Sequence, residues 1–384
     1  MFTLITNGEV YAPRPLGRAD VLIAAGRIVR VGAVDRRALD ALGVEYRVLD
    51  ARGCYVVPGF IDPHVHLLGG SGESGFNTQT PEFHLSEIVR DGTTTVVGTL
   101  GVDATMKTMA GLLARAKGLK ADGLNAYVWT GGYDAPHASI LASVREDVMF
   151  IEEVIGAGEV AISDPRAMQL TTSQIAKLLS DTHVGGMLAG KAGLVHFHVG
   201  ELPSRLQPLR DVLDAGGVEP CWMYATHLNR TPELMREGVE LARRGMFADV
   251  DTIEGDAHRW LRLYLDGGGP PENLTFSSDA SATGPGKLYQ AVRSCVVEHD
   301  FALEQILPHV TSNTARILQL PQKGQIATGR VGDVVVLGRD DLEVVHVVSR
   351  GVPLVEDGRL TASEAFLDIS DRDIHMVGTK EQDG

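Results

Sequence analysis

From the N-terminus to about residue 57 the chain alternates short apolar runs with turn residues: FTLITNGEVY, then ADVLIAAGRIVRVGAV, then YRVLDARGCYVV. A two-residue hydrophobic period between turn residues predicts strands, so residues 1–57 read as part of a small β unit. Residues 323–384 repeat the pattern in GDVVVLGRDD and EVVHVVSRGVPLVEDGRL, with Gly-Arg and Asp-Gly breaks. The two ends are therefore expected to build one small β-sandwich domain. Between them, over residues 58–322, apolar runs alternate with longer amphipathic stretches, the pattern of βα units around a parallel sheet. The runs are YVVPGFID, TTTVVGTL, AYVWTGG, EVAISD, LVHFHVG, CWMYATHL, MFADVDT and LTFSSDA. About eight such runs close a (β/α)8 TIM-type barrel, so the expected class is α/β.

In such a barrel the chemistry sits at the C-terminal ends of the strands, and these runs end in ligand-bearing residues. The first closes on Asp62-Pro63-His64-Val65-His66. Two histidines one residue apart on a strand share a face and can reach one metal ion, although an isolated HxH is as readily a hydrogen-bonded surface pair. Later runs add His198, His227 and Asp279, and imidazole with carboxylate is the donor set zinc accepts. Glu159 follows Gly156 and Gly158 and starts the run EVAISD; it reads either as a bridging carboxylate between two metal ions or as a solvated loop glutamate. His196 shares a face with His198 and is expected to lie in the barrel interior behind the ligands. The other histidines, His84, His137, His183, His258, His299, His309, His346 and His375, fall in expected helices, loops or the β unit and are read as structural.

Composition narrows the partners. With 44% hydrophobic and 22% charged residues the chain has ordinary globular composition, and its formal net charge of -15 disfavours a nucleic-acid partner. Cys54, Cys221 and Cys295 contain no CxxC pair, so neither a disulfide framework nor a cysteine zinc site is expected, and a reducing cytoplasm fits. MFTLITNGEVYAPRP lacks a basic start and an apolar run, and no stretch of about 18 apolar residues occurs, so neither export by that route nor a membrane span is expected. Residues Gly70 to Gly75 match GxGxxG, but the loop follows an HxH and places Glu73 where a pyrophosphate would be repelled. It suits instead the close approach of a small ligand with an ammonium group.

The stretches PGFIDPHVHLLGGSGESG, VVGTLG, TGGYDAP, AISDPR, KAGLVHFHVG, THLNR and SSDAS, in this order, resemble the isoaspartyl (β-aspartyl) dipeptidases of the amidohydrolase superfamily over essentially the whole chain. The resemblance implies a metal-dependent hydrolase with a pair of zinc ions, a homo-oligomer, and a dipeptide substrate cleaved at its isopeptide bond. His64 and His66 with Asp279 would hold one ion and His198 and His227 the other. Glu159 stands where the family usually has a carboxylated lysine; it too presents two bridging oxygens and removes the dependence on carbon dioxide. Asp279 would move the proton and Tyr133 would stabilise the oxyanion. Glu73 would meet the substrate ammonium, Arg166 and Arg230 its carboxylates, and Gly72 and Thr283 would line the pocket. Val102 and Thr283 depart from the family pattern. Other readings are a different amidohydrolase, such as a cyclic amidase or an N-acyl amino acid deacylase, and an inactive scaffold.

Overall fold

The computed structural model describes residues 2–134, 137–372 and 374, so His375 and the end of the expected C-terminal β segment lie outside the described residues. Eight parallel strands form one sheet in chain order: β1 (Phe60–Val65), β2 (Thr93–Gly98), β3 (Asn125–Thr130), β4 (Val154–Ile162), β5 (Leu194–Val199), β6 (Met223–Thr226), β7 (Phe247–Asp251) and β8 (Leu274–Ser277). A parallel bridge between Val65 and Ala280 joins the end of β1 to the chain just beyond β8 and closes the barrel. The buried Asp62 side chain reinforces that seam, because its Oδ1 accepts from the amides of both His64 and Ser278.

The helices wrap the barrel with the apolar faces their sequences dictate. In Pro232–Arg243, Leu234, Met235, Gly238, Val239, Leu241 and Ala242 are buried at helical spacing. Thr231 starts that helix by accepting from the Leu234 amide at 3.1 Å, and Pro232 fits the first turn, where its missing N–H costs nothing. Among the described residues no helix is long and apolar enough to cross a membrane.

Both chain ends meet in a sheet-rich unit. A four-stranded sheet holds Phe2–Thr6, Val21–Ala24, Arg27–Val31 and Tyr46–Asp50, and a seven-stranded sheet runs from Arg359–Leu360 to Pro15–Arg18. In the latter, Cys54–Pro58 pairs antiparallel with Val334–Gly338, so the segments before and after the barrel share a ladder. Ile5, Val10, Ile23, Val56, Val334 and Val348 form one core cluster across the sheets.

Two elements differ from expectation. YVVPGFID is two strands rather than one: Cys54–Pro58 belongs to the seven-stranded sheet and Phe60–Val65 to the barrel. They part at Gly59, where a Cβ would sit 2.2 Å from Thr94 Oγ1, so only glycine lets the chain cross there. The fourth barrel strand begins not at Glu159 but at Val154, and Glu159 lies within its C-terminal half. Gly156 and Gly158 are strand residues that allow close backbone approach, not loop punctuation. A Cβ on Gly156 would come within 2.3 Å of the Leu194 carbonyl oxygen and 2.7 Å of the Trp129 ring. Gly156→Ala is expected to lower stability by about 1–3 kcal/mol through this overpacking, read as a fall in the urea midpoint at unchanged slope.

Candidate metal centre

The barrel mouth gathers side chains from the ends of its strands. His64 lies in β1 and His66 one residue beyond it. His64 Nε2 and His66 Nε2 both face Asp279 Oδ1, at 3.4 and 3.2 Å, and Glu159 Oε2, at 3.4 and 3.7 Å. On the other side, Glu159 Oε1 is 2.6 Å from His198 Nδ1 and 3.2 Å from His227 Nε2. The carboxylate therefore stands between two pairs of imidazoles, one oxygen to each. A bulge makes this possible: the register of β4 against β5 shifts between Ala157 and Val160, which turns Glu159 into the barrel.

Backbone strain marks the same ring. His227 after β6, Asp279 after β8 and Ser163 after β4 have φ of 62°, 46° and 55°, a left-handed conformation that few non-glycine residues adopt. Asp279 is fixed there by the Ser278 turn, whose Oγ accepts from the Ala280 amide, and by the His66 amide donating to the Ala280 carbonyl.

The electrostatics favour a cation. Burial alone would keep the imidazoles neutral, but Glu159 and Asp279 raise His64 to about 9, and Asp251 and Glu159 raise His227 to about 10. Burial would likewise raise Glu159, yet His64 and His198 hold it well below the usual carboxylate range. Among the described residues His64 Nε2 and Glu159 Oε2 are buried without a hydrogen-bond partner. Buried polar atoms are rarely left so, and a pair of lone-pair donors aimed at one point is what a metal ion satisfies. Among the described residues two sets bring donor atoms close enough to share an ion: His64, His66 and Asp279, and His64, Glu159 and His227; His198 belongs to neither.

A cavity of about 390 Å³ opens above this ring, lined by both signs of charge. Glu73 and Gly72 from the loop after β1, Tyr133 after β3, Arg166 after β4 and Arg230 after β6 all line it. Arg166 Nη1 lies 2.8 Å from Glu73 Oε1, and Arg230 is held by the Val199 carbonyl at 2.9 Å. Tyr133 is buried, its hydroxyl 2.9 Å from His198 Nδ1; burial and Glu159 raise its phenol well above 10, so it keeps its proton. Val102 lines the cavity but Thr283 does not: Ser281 and Ala282 of the same turn face the opening, while the Thr283 carbonyl accepts from the Ser281 amide.

His196 lies behind the ring, Nε2 3.0 Å from His64 Nδ1 and stacked on Trp129. Three carboxylates escaped the sequence reading. Asp251 holds His227 Nδ1 at 2.9 Å and Asp164 holds His198 Nε2 at 3.0 Å. Asp249, below them, accepts from Tyr224, Thr226, Thr275 and Ser277. Asp251 closes the run FADVD, and Asp249 stands two positions before it on the same face, a signal that period-two reading could have used.

The amidohydrolase family model matches residues 55–205. The β-aspartyl dipeptidase of the thermophilic, keratin-degrading Fervidobacterium islandicum AW-1 is 35% identical with a TM-score of 0.89, over 95% of this chain and 100% of that one. Curated relatives include an adenine deaminase of Mesorhizobium japonicum, 27% identical over 93% of this chain, and a dihydroorotase of Lactobacillus gasseri, 24% identical over 99% of this chain and all of its own. The chain spans 57% of the length of that adenine deaminase. The chain belongs to the amidohydrolase family. Within it, the similarity to the Fervidobacterium β-aspartyl dipeptidase runs through barrel and β domain alike, and that enzyme has also been crystallised with the dipeptide β-Asp-Leu.

Proposed function

We propose that this protein hydrolyses the isopeptide bond of β-aspartyl dipeptides at a pair of zinc ions held by His64, His66, Glu159, His198, His227 and Asp279. The observation that carries the reading is the placement of Glu159, one oxygen toward each imidazole pair, beneath a cavity that offers Glu73 on one side and Arg166 and Arg230 on another. When bound, the metal ions lower the pKa of water and polarise a carbonyl oxygen.

The chain's own residues supply the rest. Asp279, ionised and beside His66, accepts the proton of the attacking water and passes it to the departing amine. Tyr133, which keeps its phenolic proton, donates to the oxyanion that develops at the scissile carbonyl. Arg166 offers Nη1 to a substrate carboxylate, its Nε and Nη2 being held by Asp164, and Arg230 offers a second guanidinium. Without ligand, Arg166 pairs with Glu73. A zwitterion exchanges that internal pair for two of its own, ammonium to Glu73 and carboxylate to Arg166, which a neutral cyclic amide cannot do.

Removing one oxyanion donor costs about 10²–10³ in turnover, so Tyr133→Phe is expected to lower kcat for β-Asp-Leu in that range and leave KM within a few-fold. Steady-state kinetics checks this. The substrate reading itself is tested by a panel of β-Asp-Leu, α-Asp-Leu, dihydroorotate and hydantoin with zinc-loaded protein. Turnover of β-Asp-Leu alone supports it. Turnover only of a cyclic amide replaces it with the second reading, which the dihydroorotase likeness favours.

A further inference from the structure

Three imidazoles of the mouth have a second ring nitrogen occupied by a partner outside the ring: His64 by His196, His227 by Asp251 and His198 by Asp164. Asp164 differs from the other two because it also holds a residue that lines the cavity. Its Oδ2, 3.0 Å from His198 Nε2, accepts from Arg166 Nη2 at 2.8 Å. Its Oδ1 accepts from Arg166 Nε at 3.0 Å and from the Arg166 amide at 2.8 Å.

The carboxylate has no freedom to leave this position. It is only 2% exposed. The Ser163 hydroxyl before it is tied to Ser204 and to the Arg205 carbonyl, and at Gly200 a Cβ would fall 2.5 Å from Asp164 Cα.

We propose that Asp164 is a positioning residue that couples metal binding to substrate recognition: it selects the His198 tautomer that ligates and clamps the Arg166 fork facing the cavity. The inference rests on the metal reading above. A carboxylate only accepts, so Asp164 favours the His198 tautomer with the proton on Nε2, which leaves the Nδ1 lone pair facing Glu159 and the cation. Clamped at Nε and Nη2, Arg166 keeps Nη1 as the group it can offer to a ligand.

Asparagine and alanine at this position separate positioning from packing. In Asp164→Asn the amide oxygen stays at Oδ1, where the fixed Arg166 backbone amide needs an acceptor; the NH2 then takes the place of Oδ2, where it displaces the mobile Arg166 Nη2 and faces His198 Nε2. That ring nitrogen must then accept, the proton moves to Nδ1, and it points where the cation binds. Asp164→Ala leaves Nε2–H within reach of the Tyr133 hydroxyl, 3.3 Å away, and the ligating tautomer accessible. Zinc affinity, measured by chelator competition, is expected to fall roughly 10–100-fold in Asp164→Asn and by less in Asp164→Ala, with the KM for β-Asp-Leu raised in both.

A packing role predicts the opposite order, because asparagine fills the site and alanine empties it. Zinc loss in Asp164→Ala equal to or greater than that in Asp164→Asn overturns the proposal, as does Asp164→Asn with wild-type affinity. If Asp164→Asn does not fold, Asp164→Ala decides: added formate should restore part of its zinc affinity and formamide should not, and equal or absent rescue overturns the proposal. Wild-type protein that takes up no zinc overturns the metal reading itself and this inference with it.

Discussion

Glu159→Ala is expected to lose bound zinc and about 10²–10³-fold or more in the rate of β-Asp-Leu hydrolysis. Removing one partner from a buried charge cluster costs about 3–5 kcal/mol, and about 1.4 kcal/mol is a factor of ten. Here the partner removed is shared by every imidazole in the ring: its oxygens lie 2.6 to 3.7 Å from ring nitrogens of His64, His66, His198 and His227. Elemental analysis of protein purified in zinc, alongside initial rates, checks both parts. A variant that keeps wild-type zinc content and rate would remove the bridging role of Glu159.

Asp279→Asn is expected to separate chemistry from architecture. General-base catalysis contributes about 10²–10⁴-fold, and kcat should fall in that range with KM little changed. The fold should survive because asparagine, like aspartate, tolerates the left-handed backbone this position requires, where φ is 46°. Asp279 is suited to its task because His64 and His66 outweigh burial and hold its carboxyl well below the usual range, so it is ionised when water must lose a proton. Thermal melting at the wild-type temperature with unchanged kcat would show that the proton goes elsewhere.

Much of this was legible in the residues. Eight apolar runs ending in His66, His198, His227 and Asp279 announced both barrel and mouth, because strand ends and ligand chemistry coincide only where a βα barrel opens. What the pattern could not give was the third dimension. From the residues alone Glu159 read equally as a bridging carboxylate or a solvated loop glutamate, because two glycines precede it; those glycines serve close packing, Gly156 against Leu194 and Trp129, and leave the strand unbroken. Asp164 and Asp251 act through partners distant in the chain, and no spacing rule links either to its histidine. Which residues of the turn after β8 face the cavity, Ser281 and Ala282 among them, is a matter of local rotation, finer than any hydrophobic period resolves.

The ladder between Cys54–Pro58 and Val334–Gly338 also bears on how the chain is made. As the polypeptide leaves the ribosome, the earlier strand emerges with one edge open and waits while all eight barrel strands are translated. The barrel can thus be assembled before the β unit is sealed. The apolar runs that follow the barrel act as a clasp: truncations within them would leave that nascent edge available for pairing with neighbouring chains.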